Sequence, residues 1–303
     1  MLHLAVVTGT TPPEGIDDAT MATADDLLVT ALSRHAKITE PSWRDDVDWS
    51  VFDAVLVRTV WDYVKHRDAF VAWAAEVGRV TPLWNPADVL RWNTHKGYLL
   101  ELEERGAPVV ATAWLAQGDR VDLAELAQTR GWTRLLLKPA VSTGSRGAHR
   151  TGARLGRDDQ AHLDRLLATG DVLVQPYLDA VETTGERSVV VVGGRASHAV
   201  AKTPKGGDFR VQHEYGGRYR RIEVDDETRR LAEWIVESTG NDLLFARVDL
   251  LCDAWGTPQL VELEATEPDL YLPLAPDRVD DIAATVVAWC TRPSVSEAAT
   301  NVG

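Results

Sequence analysis

The sequence predicts an α/β protein, on three observations. Short apolar runs alternate with segments of helical period along the chain, and Gly- and Pro-bearing connectors separate them. The 303 residues, 45% hydrophobic and 26% charged, also suffice for two or three compact units with cores of their own. In order, Leu2–Val7 reads as a buried strand, Ala22–Arg34 as a helix and Ala54–Val57 as a second strand. His66–Val77 carries Phe70, Trp73, Ala74 and Val77 at helical spacing, and the Pro-rich connector from Thr81 to Pro86 closes this first unit. Thr94–Arg105 reads as a helix stopped by Gly106. Val109–Ala113 and Arg134–Lys138 read as strands, with a helix over Leu123–Thr129 between them. Val141–Gly156 is rich in Gly, Ser and Thr and reads as a mobile loop.

A helix over Asp158–Ala168 and a strand over Val172–Gln175 follow. Arg187–Val192 and Arg195–Ala201, joined by Gly193-Gly194, have the pattern of a hairpin. Thr203–Gly217 is a second loop, basic and Gly-rich, and Asp226–Thr239 is a helix. Ala246–Leu251 and Gln259–Glu264 read as strands flanking a turn at Trp255-Gly256. A helix over Val279–Trp289 and a polar, flexible tail from Arg292 end the chain.

Lys and Arg number 32 against 46 Asp and Glu, a net charge of −14. Such a protein repels a polyphosphate backbone, so nucleic acid is not an expected partner, and anions bind only where positive charge is gathered locally. No apolar run approaches the roughly 20 residues of a membrane span. Met1–Val7 lacks a basic n-region and a cleavage signature, so it reads as a strand and not a signal peptide. Cys252 and Cys290 are too few for a disulfide framework or a zinc cluster, and both sit in apolar stretches. A cytoplasmic protein with no membrane partner is expected.

The sharpest chemical signal is a set of acids in apolar strands. Side chains alternate along a strand, so Glu262 and Glu264 share one face, and Asp249 lies in the preceding strand. If the two strands pair, three carboxylates converge. Like charges held that close need a cation, and a hard divalent ion with oxygen ligands suits them. A solvated strand face with ordinary surface acids is the competing interpretation. Lys138 ends the strand Leu135–Leu137, pointing an ammonium at the sheet edge, where ligands sit. The loop after it, Ser142-Thr143-Gly144-Ser145-Arg146-Gly147, offers free N–H groups to a phosphate chain, although taken alone a plain surface loop is the stronger interpretation. It is neither a Walker A motif nor a dinucleotide fingerprint. Lys96 opens a helix, and Lys202, Lys205, Arg210 and Arg247 gather in the second half; Lys202 and Arg247, beside strands, could reach the β- and γ-phosphates, with balancing of nearby surface acids as the alternative for all of them, Lys205 included. His198 reads as a structural donor, with a substrate contact as the alternative.

The order of these features resembles the ATP-grasp superfamily of carboxylate–amine ligases, from about Arg91 to Leu272. That resemblance implies an ATP-grasp fold, two α+β subdomains gripping ATP, behind a Rossmann-like N-terminal domain. It implies domains over 1–90, 91–175 and 176–291, with a tail over 292–303. Lys96 and Lys138 would bind the phosphates under the loop of Ser142, Gly144, Ser145 and Gly147. Adenine would meet the hinge Gln175-Pro176-Tyr177-Leu178, with Glu182 or Glu186 on the ribose. Asp249, Glu262 and Glu264 would hold two Mg²⁺; most members carry Asn at the last position, and Glu264 adds a charge there. Lys202, Arg210 and Arg247 would act on the transferring phosphoryl group.

Finer matches are similar to the O-ureido-serine cyclo-ligase branch: Arg58-Thr59-Val60-Trp61-Asp62-Tyr63, Trp92-Asn93-Thr94-His95-Lys96-Gly97-Tyr98-Leu99, Ser197-His198-Ala199-Val200, the segment Lys205–Gln212 and Glu262-Leu263-Glu264-Ala265-Thr266-Glu267-Pro268. They imply ATP- and Mg²⁺-dependent activation of a small amino-acid-like carboxylate as an acyl phosphate, then attack by nitrogen, with ring closure of O-ureido-D-serine to D-cycloserine as one outcome. Arg58, Trp61, His198 and Glu267 would read the substrate; for Arg58 a salt bridge to Asp62 or another local acid competes. An intermolecular amide or peptide ligase, resembling glutathione synthetase or the ribosomal-protein glutamate ligases, is the alternative. A small-molecule kinase and a non-catalytic ATP-binding regulator stand behind it. A homodimer is expected by family analogy alone.

Overall fold

The computed structural model describes residues 1–10 and 25–292. The start of the expected Ala22–Arg34 helix and the tail beyond Arg292 lie outside the described residues. The chain opens with β1 (Leu2–Val7), α1 (Asp26–Leu32), β2 (Ala36–Thr39), β3 (Ala54–Val57), α2 (Arg67–Val80) and β4 (Leu83–Trp84). The strands form a parallel sheet of order β2-β1-β3-β4. Leu4–Val7 of β1 and all of β3 read as unbroken apolar runs because both faces are covered. Leu4, Val6 and Leu56 face one core, and Ala5, Val7, Val55 and Val57 face another with Phe52, Phe70 and Trp43. β2 escapes a sequence reading because only Ala36 of its four residues is buried.

Two short helices follow, α3 (Ala87–Asn93) and α4 (Tyr98–Glu104). The sequence suggests one helix from Thr94, but the chain breaks at Lys96, whose N–H donates to the Ala140 carbonyl at 2.8 Å instead of a helical acceptor. The next unit holds β5 (Ala113–Leu115), α5 (Leu123–Arg130), β6 (Leu135–Pro139), β7 (His149–Arg150), α6 (Arg157–Leu167) and β8 (Val172–Pro176), in an antiparallel sheet of order β5-β8-β6-β7. The expected strand at Val109 is displaced: Val109 bridges Leu260 of another sheet, and sheet pairing here begins at Ala113.

The last unit comprises α7 (Ala180–Thr183), β9 (Glu186–Val192), β10 (Arg195–Thr203), β11 (Arg218–Ile222), α8 (Asp226–Ser238), β12 (Phe245–Cys252), β13 (Pro258–Glu264) and α9 (Val279–Cys290). Its antiparallel sheet runs β11-β10-β9-β12-β13. The expected hairpin is β9–β10, and its two-residue turn needs positive φ at both positions, supplied by Gly193 at 57° and Gly194 at 79°. β11, with Arg218, Arg220 and Arg221, is an edge strand, where charge is tolerated. α9 turns back to the first unit: Ile282, Val286 and Trp289 share one core with Leu28 and Leu32 of α1.

Two buried asparagines tie the units together. Asn85 accepts from the Leu244 N–H at 2.7 Å and donates to the carbonyls of Phe245 and Ala265 at 2.7 and 2.6 Å. Asn93 donates to the Leu263 carbonyl and accepts from the Ala265 N–H, both at 2.7 Å. The chain leaving β13 is thereby fixed against α3.

Candidate active site

The floor of a cleft of about 580 Å³ is the middle of the β10-β9-β12-β13 sheet. Register places Arg247 opposite Glu264 and Asp249 opposite Glu262, with a ladder irregularity just after Asp249. On the other side of β12, Asp249 faces Ser188, and Glu186 lies opposite Lys202 across β9 and β10. All three predicted carboxylates therefore line one cleft, together with Lys202 and Arg247.

Each of these three carboxylates has a lysine or arginine partner. Lys96 Nζ lies 2.9 Å from Glu262 Oε1 and donates to the Ser142 carbonyl at 2.7 Å. Lys202 pairs with Glu186 and reaches Asp249 Oδ2 at 3.5 Å. Arg247 bonds to Asp249 and Glu264. Burial opposes charge on Asp249, but Arg247 and Lys202 hold its pKa down at about 2. Burial likewise opposes charge on Glu262, yet Lys96 and Lys138 keep it below the ordinary value. Burial pushes Glu264 up to about 7, with Arg247 opposing and the Asp249 and Glu262 charges assisting. A cation fits there: the donors are hard oxygens, and the charge around Glu264 is under-compensated. No group of three His, Cys, Asp or Glu side chains among the described residues is close enough to hold an ion by itself. The arrangement instead suits Mg²⁺ held by one or two carboxylates and completed by phosphate oxygens.

The opposite wall is the β5-β8-β6-β7 sheet. Lys138 on β6 lines the cleft without a hydrogen-bond partner among the described residues, and burial pulls its pKa below the ordinary lysine value. Ser142, Gly144 and Ser145 line the cleft from the loop after β6. Ser145, at φ 57°, donates from Oγ to Gln212 Oε1 at 2.9 Å and so joins this loop to the second basic loop. Gln175, Pro176, Tyr177 and Leu178 form the hinge between the walls and line the cleft, as does Trp61 from the first unit.

Six predicted residues lie elsewhere. Gly147 packs behind its loop, where a Cβ would stand 2.8 Å from Pro139 Cγ. Glu182 is held outside by Arg150 and the Tyr177 hydroxyl, so Glu186 is the ribose candidate that faces the cleft. Arg210 is clamped by Asp208, with Nη2 2.8 Å from Oδ2, and stacks on Tyr215. His198 donates from Nε2 to the Leu270 carbonyl at 2.8 Å and is a core donor, not a cleft residue. Arg58 is 2% exposed and grips Asp25 at 2.8 Å and the Pro268 carbonyl at 2.9 Å; the competing salt-bridge interpretation prevails, with Asp25 as its partner. Glu267 lines a small side pocket that shares Lys96, Glu262 and Glu264 with the main cleft, and burial there raises it to about 8. Sequence reading missed Ser188, Asp269 and Tyr271, which lie beside the carboxylates or line the cleft. Only the Asp-x-Tyr spacing after Pro268 signals the last two, and it carries no chemistry until the chain turns there.

A parallel N-terminal unit followed by two antiparallel sheets closing on a cleft of lysines and carboxylates defines the ATP-grasp class. A family profile described as the N-terminal domain of D-cycloserine synthetase DcsG matches residues 4–85, and one described as the ATP-grasp domain of prokaryotic glutathione synthetase matches 109–269. The chain belongs to the ATP-grasp ligases, in the D-cycloserine synthetase family. It is 32% identical to the cycloserine biosynthesis protein DcsG of Streptomyces lavendulae over 78% of this chain and 83% of that protein. The crystal structure of D-cycloserine synthetase DcsG superposes with a TM-score of 0.82 at 27% identity, over 95% of this chain and 100% of that one. A D-alanine–D-alanine ligase from Bacillus anthracis shares the fold, with a TM-score of 0.71 at 13% identity over 96% and 97% of the two chains. The protein is thus an ATP-dependent carbon–nitrogen ligase, of a class that uses ATP and Mg²⁺. No described helix is long and apolar enough to cross a membrane.

Proposed function

We propose that the enzyme activates the carboxylate of O-ureido-D-serine and closes it to D-cycloserine, as a cytoplasmic enzyme of antibiotic biosynthesis. The observation that carries this reading is the likeness to D-cycloserine synthetase in the N-terminal unit, which supplies Trp61 to the cleft, as well as in the ligase body.

Lys96 and Lys138 bind the phosphates, with Ser142, Gly144 and Ser145 covering them and the hinge Gln175–Leu178 taking adenine. Two Mg²⁺ ions, held by Asp249, Glu262 and Glu264, supply charge neutralisation when bound. Lys202 and Arg247 face the γ-phosphoryl group as the substrate carboxylate oxygen takes it and ADP departs. The nitrogen then attacks the acyl carbon, the C–O bond to phosphate breaks, and the nitrogen gives up its proton; water then takes the carbamoyl group from the ring nitrogen as carbamate, which leaves as CO2 and ammonia. The Ser145–Gln212 bond holds the two loops together while the acyl phosphate exists and keeps water from it. We keep domain limits of 1–90, 91–175 and 176–291 and a homodimer as working assignments.

The test is an ATP- and Mg²⁺-dependent phosphate-release screen over amino acids, dipeptides and O-ureido-serine of both hands, with mass spectrometry of products. Phosphate release with a ring-closed product from O-ureido-D-serine is expected. A product joining two components means an intermolecular ligase, and a phosphorylated product means a kinase; either overturns the cyclisation.

A further inference from the structure

We propose that Asp269 receives the ammonium group of the substrate, so that the enzyme selects α-amino acids over plain carboxylic acids. This inference rests on the ligase reading above and names the substrate group recognised at one point of the same cleft.

Four acids lining the cleft, Glu186, Asp249, Glu262 and Glu264, each have a lysine or arginine partner. Among the described residues two lining acids have none: Glu214 and Asp269. Glu214 sits against the phosphate-covering loop, its Oε1 3.0 Å from where a Cβ on Gly144 would stand. Asp269 lies on the segment after β13, two residues beyond Glu267, whose carbonyl faces the Trp61 indole at 3.4 Å.

Asp269 is also fixed in place. Its Oδ1 accepts the Tyr271 N–H at 2.7 Å, across a turn that holds Tyr271 at φ 49°. Oδ2 has no partner among the described residues. The carboxylate is therefore anchored by one oxygen and presents the other, in a wall that includes the Tyr219 and Tyr271 rings, 5.4 Å apart and edge-to-face. Such rings attract a cation. Burial raises the Asp269 pKa, and the Tyr271 N–H, Arg247 and Arg58 only partly offset it. An ammonium supplies the missing countercharge. Its place is chemically consistent, since an α-ammonium is one carbon from the carboxylate to be activated, and Asp269 is within electrostatic reach of Arg247.

Asp269→Asn keeps the Oδ1 acceptor for Tyr271 and removes only the charge. Calorimetry in the presence of Mg²⁺ and a non-hydrolysable ATP analogue would compare α-amino acids of both hands, O-ureido-serine included, with their des-amino analogues. The wild type is expected to bind at least one amino acid about 10- to 100-fold tighter than its des-amino analogue, and Asp269→Asn to lose that preference. Affinity for the ATP analogue reports whether the variant is folded. A wild type without the preference, or a folded variant that retains it, overturns the inference. Turnover of O-ureido-D-serine is read separately. No turnover beside a charge-dependent ammonium preference overturns the substrate assignment and leaves Asp269 standing.

Discussion

Arg247 holds Asp249 through both carboxylate oxygens from two positions away on the same strand: Nε lies 3.0 and 3.2 Å from Oδ1 and Oδ2, and Nη2 lies 2.9 Å from Oδ2. The same guanidinium reaches Glu264 on the neighbouring strand, so one side chain sets the positions of two of the three carboxylates. A lysine carries the charge without the planar fork. Arg247→Lys is expected to lower kcat by about 100-fold or more and stability by about 1–3 kcal/mol. Steady-state kinetics beside urea unfolding checks both, and full activity would remove Arg247 from the reaction.

Glu262 keeps its charge because Lys96 and Lys138 face it, and Gln at this position preserves shape without charge. Glu262→Gln is expected to abolish Mg²⁺-dependent turnover while the unfolding midpoint moves little. Unchanged turnover across an Mg²⁺ titration would end its role as an ion ligand.

Lys138 is the cleft lysine whose ammonium has no hydrogen-bond partner among the described residues, and burial opposes its charge. Lys138→Ala should therefore weaken ATP binding by about tenfold or more without loss of stability. Calorimetric titration with a non-hydrolysable analogue is the measurement, and an unchanged affinity would contradict a phosphate role.

Asn85 is 2% exposed and satisfies backbone groups of both the β12 and post-β13 segments. Truncating it leaves several of these unpaired, so Asn85→Ala is expected to cost about 3 kcal/mol. Because the same bonds fix the cleft floor, activity should fall with stability. A midpoint shift corresponding to under about 0.5 kcal/mol would show that the clamp is dispensable.

Burial holds the His198 pKa below its ordinary 6.5, with the Leu270 carbonyl opposing and Arg221, Arg278 and Asp277 nearby. The unfolded chain therefore takes up a proton that the folded one refuses. The stability contributed by neutral His198 is present above about pH 6.5 and is lost as pH falls through that value towards the folded-state pKa. His198→Gln removes this dependence, so the stability gap between wild type and variant should narrow from about pH 7.5 to about pH 5.5. Denaturant unfolding across that range tests it; a constant gap would mean that His198 is not held neutral.

Much of the fold was legible because its signals are local. The run Leu2–Val7, the Gly193-Gly194 turn and the alternation in Leu260–Glu264 state their conformations by composition and period, and the structure has them as β1, a hairpin and β13. Short or charged elements were not legible: β2 buries only Ala36, β11 is basic, and the break at Lys96 depends on a carbonyl of Ala140 far along the chain.

By itself, then, the sequence determined that Glu262 and Glu264 stand on one strand face, because strand alternation is a property of neighbours. Tertiary structure alone decided who meets whom. It set Asp249 opposite Glu262, and it gave Arg58 to Asp25, Arg210 to Asp208 and His198 to the Leu270 carbonyl, withdrawing all three from the cleft. Asp269, by contrast, was brought into the cleft wall by the turn at Tyr271. The reason is energetic: a buried charge or donor takes whichever partner the packed chain places within reach, be it two residues away as for Arg247 and Asp249 or 72 away as for His198 and the Leu270 carbonyl.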